Sequence, residues 1–97
     1  MEVLMAVAIL IEIPGATTTQ YDAVIKDVFP GGRLPRGLIF HVAGPAEGAL
    51  RVVDVWDSRQ SFDSFAQTTL GAAMQKAGIP QQPIIKEWPV HKTVHSH

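Results

Sequence analysis

The hydrophobic repeat along the chain switches between two residues and about 3.6 residues, in the order strand, helix, strand, strand, helix, strand from Val3 to Val94. Val3 to Ile13 is apolar at both alternating sets of positions, the pattern of a strand covered on both faces in the middle of a sheet. Pro14-Gly15 ends it. Thr17 with Gln20 then gives a capping-box pattern, opening a helix with the apolar stripe Tyr21, Val24, Ile25, Val28 and Phe29. Pro30-Gly31-Gly32 stops that helix. Two strands, 37–43 and 50–56, are separated only by Gly44 to Gly48, too short for a crossover, so they form an antiparallel hairpin. Ser58 caps a second helix, whose stripe runs through Phe62, Phe65, Ala66, Leu70, Ala73, Met74 and Ala77 to a stop at Gly78 and Pro80. The last strand, 84–94, contains Pro89, which lacks a ladder donor and confines the strand to a sheet edge.

Right-handed connections applied to this order give an α+β, ferredoxin-like βαββαβ fold, a four-stranded antiparallel sheet with the first and third strands central and both helices on one face. The 97 residues hold one domain, 1–94, followed by a loose tail, 95–97. Charged residues are 18% of the chain and hydrophobic ones 46%, against an average charged share of about 25%. A sheet face left bare by the helices is then too apolar for water, so the expected state is a homodimer packed sheet to sheet, a dimeric α/β barrel.

Composition also excludes functions. Basic residues are scattered singly and the formal charge is −1, which argues against nucleic-acid binding. There is no cysteine, hence no disulfide and no thiolate nucleophile or metal ligand. The apolar start has Glu2 in place of a basic leader region and is too short to span a bilayer, so a cytoplasmic protein without a membrane segment is expected. Gly31-Gly32 and Gly44 lack the spacing of a phosphate-binding loop. His91, His95 and His97 share a parity near the end of the chain but have no converging partners, so neither a metal nor a cofactor is expected.

Three polar or amphipathic residues interrupt the apolar hairpin: His41, Asp54 and Trp56. Strict alternation sets Leu38, Phe40 and Val42 opposite Ile39, His41 and Ala43, and Val53 and Val55 opposite Val52, Asp54 and Trp56. With the wholly apolar sets turned to the helices, His41, Asp54 and Trp56 point into the barrel between two copies. There a His41–Asp54 pair would fix the imidazole tautomer and act as a general base. Trp56, Ile39, Val52 and Tyr21 are the expected ligand-contacting residues, with the Trp56 ring as an aromatic wall. Trp88, on the edge strand, is assigned to the dimer interface.

At this point the chain resembles the dimeric α/β-barrel superfamily, and within it small proteins similar to antibiotic-biosynthesis monooxygenases. The carriers are the βαββαβ order, Tyr21 in the first helix, the Gly37 to Gly44 strand with His41, and Val53-Asp54-Val55-Trp56-Asp57-Ser58 leading into Phe62 and Phe65. The resemblance implies a dimer enclosing an apolar cavity, in a group whose members oxidise aromatic molecules without a cofactor, degrade haem or process other small metabolites. It also implies an Asn beside the Trp, and this chain contains no Asn. Two readings stand at this point. One is a cofactor-independent, monooxygenase-like enzyme acting on a small, mostly apolar or aromatic molecule; the other is a non-catalytic small-molecule-binding or structural dimer.

Overall fold

The computed structural model describes residues 5–80 and 82–94. Its elements are β1 (Val7–Pro14), α1 (Thr18–Val28), β2 (Leu38–Ala46), β3 (Ala49–Trp56), α2 (Arg59–Phe65), α3 (Gly71–Lys76) and β4 (Ile84–Pro89), with a short 3₁₀ turn at Pro30–Gly32 and a π turn at Ala66–Leu70 joining α2 to α3. The four strands form one antiparallel sheet in the order β2-β3-β1-β4, with β3 and β1 central, as the sequence predicts.

The local signals act where they were read. The Thr17 side chain accepts from the Gln20 backbone while the Gln20 side chain returns to Thr17 N, so two orphan donors of α1 are satisfied together. Ser58 accepts from Ser61 N and opens α2. The hairpin is tighter than expected: β2 and β3 extend to a two-residue turn, Glu47 (φ 43°) and Gly48 (φ 78°), whose positive φ values match the twist of the paired strands. At the far end of β2, Gly37 has φ 91°, and a Cβ there would lie 2.8 Å from Ser61 Cβ. Only glycine lets β2 start this close to the first turn of α2.

Three expectations change, and others fall on residues that are not described. Residues 1–4 and 95–97 lie outside the described residues, so the start of the first strand and the loose tail are not described, and β1 is seen from Val7. β4 ends at Pro89 instead of Val94, because ladder pairing stops with Pro89 opposite Val7. The second helix is interrupted by a π turn, closed by a bond from Gly71 N–H to Ala66 O five residues back. The last change concerns the faces of the hairpin. Ile39 is an extra residue in β2: Leu38 stands opposite Trp56 and Phe40 opposite Val55, so one step of alternation is lost between them.

The set Leu50, Val52, Asp54 and Trp56 of β3, with Leu38, His41 and Ala43 of β2, therefore faces the helices, and Phe40, Val42, Val53 and Val55 face away. The polar set lies under the helices, contrary to the alternation argument, for two reasons. Leu50, Val52 and Trp56 are large apolar groups that the helices bury to 7% exposure or less. Asp54, the one charge among them, is matched by two donors and so can be buried with them. The core continues through Ile9 and Ile11 of β1, Val24 and Val28 of α1, Phe62 and Ala73. A side chain such as Ile9, fully buried, contributes roughly 1.5–3 kcal/mol from burial alone.

Candidate functional site

Between the sheet and the helices lies a cavity of about 250 Å³. That is just under the small end of ligand pockets, which hold roughly 300–1,000 Å³. Its floor comes from Ile11, Ile13 and Val52, its walls from Val24 and Ile25 of α1 and from Phe65, Leu70 and Met74 across the π turn, and one side from Ile85 of β4. The π turn matters here because its wide ring shifts the register of the second helix, so that Ala66, Leu70 and Gly71 all border the same space. Among the described residues, the polar side chains on the wall are Tyr21, His41 and Asp54.

These three form a continuous chain. Tyr21 Oη lies 2.6 Å from His41 Nε2, and His41 Nδ1 lies 2.6 Å from Asp54 Oδ1. Behind them Trp56 Nε1–H donates to Asp54 Oδ2 at 3.2 Å. A carboxylate accepts only, so Nδ1 carries the imidazole proton and Nε2 presents a lone pair, to which the Tyr21 hydroxyl donates. Packing holds the ring in this orientation. Phe29 stands edge-on at 4.8 Å, and the Tyr21 ring lies nearly parallel to the imidazole, 7° from coplanar. His41 and Asp54 side chains are 13% and 6% exposed. Burial, and then the negative charge of Asp54, push the Tyr21 phenol above its ordinary range, so it is protonated at neutral pH.

Val52 and Tyr21 border this cavity, which lies beneath the helices of one subunit. His41 and Asp54 come together as cross-strand partners, but inside one subunit beneath its helices, not in a space between two copies. Trp56 differs from the expected aromatic wall. It is fully buried, packed against Phe62 and Phe65, and reaches the cavity only through its bond to Asp54. Ile39, displaced by the bulge, is half exposed away from the cavity. Phe29, Phe65 and Ile85 belong to the site, yet in sequence they are indistinguishable from ordinary stripe residues. The glycine within the second helix, Gly71, was the only hint of the π turn. Among the described residues no group of three His, Cys, Asp or Glu side chains converges on a metal position; His95 and His97 lie outside those residues. No helix among the described residues is long and apolar enough to cross a membrane.

Several solved structures share this layout. ActVA-Orf6 of Streptomyces coelicolor, a monooxygenase in complex with nanaomycin D, superposes with a TM-score of 0.63 at 12% identity, covering 96% of this chain and 94% of its own. SnoaB of Streptomyces nogalater, a cofactor-independent oxygenase, gives 0.64 at 10% identity over 97% of this chain and 100% of its own. This chain has the same ferredoxin-like fold as these two proteins. A hydroxynitrile lyase from Passiflora edulis also matches, at 0.59 and 13% identity, covering 94% of this chain and 98% of its own, so the fold spans more than one chemistry. No protein-family model and no curated protein matches the sequence.

Proposed function

We propose that the cavity binds a small, mostly apolar or aromatic molecule and that Tyr21, His41 and Asp54 take a proton from it, in a cofactor-independent, monooxygenase-like reaction. The observation that carries this reading is the chain of two 2.6 Å contacts ending in an otherwise apolar cavity. An acidic hydrogen of the ligand passes to Tyr21 Oη as the Tyr21 proton passes to His41 Nε2, and Asp54 stabilises the imidazolium so formed. The electron-rich anion left behind is the species able to give electrons to dioxygen. Conversion of a hydroxyarene to a quinone consumes one dioxygen and releases one water, so the ligand itself supplies all the electrons. ActVA-Orf6 and SnoaB, alike in fold, support the oxygenase branch of this reading.

The open sheet face enters the same proposal. Phe40 (50% exposed), Val42 (49%) and Trp88 (48%) lie there beside the bulged Ile39, and we infer that a second copy covers them, giving a homodimer with one cavity in each subunit. The test is oxygen consumption and product formation across a panel of hydroxynaphthalenes. His41→Ala should lower turnover by about a hundredfold or more while sedimentation still shows the wild-type assembly. Equal turnover in the variant would remove His41 from the chemistry. Binding without turnover in the wild type would leave the second reading, a non-catalytic binding dimer, which the absence of Asn favours.

A further inference from the structure

The polar end of the cavity has a direction. The indole of Trp56 can only donate, and it donates to Asp54 Oδ2. The Asp54 carboxylate can only accept, and it takes His41 Nδ1–H on Oδ1. Nε2 is thereby an acceptor and takes the Tyr21 hydroxyl proton. Every donor on these four side chains is thus committed, each pointing toward the carboxylate. What remains is acceptor capacity: the lone pairs of Tyr21 Oη and those left on Asp54. Among the described residues no lysine or arginine borders the cavity.

We propose that the cavity selects its ligand by hydrogen-bond polarity. It takes an apolar molecule that presents an O–H or N–H donor and rejects the same skeleton carrying only an acceptor, with Trp56 and Asp54 as the positioning residues that set this direction. The inference rests on the reading of the cavity as a ligand site. An acceptor-only ligand sets its oxygen against the Tyr21 lone pairs and leaves both unpaired out of water, the arrangement that discriminates most strongly between near-isosteric ligands.

Asp54→Asn reverses the direction. Trp56 cannot accept, so the amide oxygen must turn to Trp56 and the amide NH₂ to His41. Nδ1 then has to be the acceptor, the imidazole proton moves to Nε2, Tyr21 accepts from it, and the phenolic O–H is released toward the cavity.

The experiment is calorimetric titration of wild type and Asp54→Asn with α-naphthol and with its methyl ether. Wild type should bind the naphthol about tenfold more tightly than the ether, the worth of one hydrogen bond. In Asp54→Asn the preference should shrink to within about threefold, through tighter binding of the ether. Equal affinities in wild type, or an unchanged ratio in the variant, would overturn the polarity inference and leave the ligand site standing. Failure of the folded wild type to bind either compound would overturn the site itself and the inference with it. Where Asp54→Asn does not fold, the ring-nitrogen NMR shifts of His41 in wild type decide: the Nδ1–H tautomer supports the inference and the Nε2–H tautomer overturns it.

Discussion

The two faces of this sheet are built from the same strands and do opposite things. Under the helices Trp56 is completely buried and its N–H is spent on Asp54; on the open face Trp88 is 48% exposed, in a neighbourhood of Ile39, Phe40 and Val55. The helix face buries a carboxylate, whereas the open face carries its charges, the Arg51–Glu12 pair and Lys86, in water beside an apolar patch. Burial therefore followed hydrogen-bond satisfaction as much as hydrophobicity: a carboxylate with two good donors is tolerated inside, while a greasy surface with no helix over it stays outside until another body covers it.

That contrast can be broken most directly at the tryptophans. Trp56→Ala should destabilise the subunit by about 3–5 kcal/mol in urea denaturation, since it opens a cavity and strips a donor from Asp54. Trp88→Ala should leave the subunit fold intact and weaken association in sedimentation equilibrium. Comparable losses of subunit stability from both would erase the distinction between the faces. Next in size is the junction that sets the faces. Gly37→Ala places a Cβ against Ser61 at a positive φ and should cost about 1–3 kcal/mol, visible as a lowered Tm; an unchanged Tm would mean that the start of β2 is not pinned to α2.

A sharper probe of the open face is Val42→Asp. It should change subunit stability by no more than about 0.5 kcal/mol but shift the sedimenting species toward single subunits. Persistence of the wild-type assembly would locate any interface elsewhere. The smallest effect concerns Tyr21, the only tyrosine of the chain, whose ionisation can be followed by ultraviolet absorption without interference from another. Its phenol is held above 10.0 by burial and by Asp54, so the folded state keeps a proton that the unfolded chain loses first. The associated stability is complete below pH 10.0 and disappears as pH climbs from there through the folded-state value. Tyr21→Phe should flatten that alkaline decline, and a wild-type phenol ionising below its ordinary range would contradict the burial seen here.

Much of the architecture was legible in the sequence because it is written in local rules. The capping box at Thr17, the Ser58 cap, the prolines that end elements and the short hairpin link each act within a few residues, and together they permit one sheet order. The pairing of His41 with Asp54 was legible too, as two polar interruptions in neighbouring strands. The π turn was not, since a lone Gly71 does not distinguish it from an ordinary helix.

Taken by itself, the chain determined which elements exist, their order and which side chains share a strand. Only the folded molecule decided which way those side chains point. A two-residue repeat is blind to sign: it groups residues into two sets without saying which set meets the helices, and the single extra residue at Ile39 exchanges the sets within β2. The choice fell to an energy that no local pattern carries, the joint satisfaction of Asp54 by His41 and Trp56 beneath the helices.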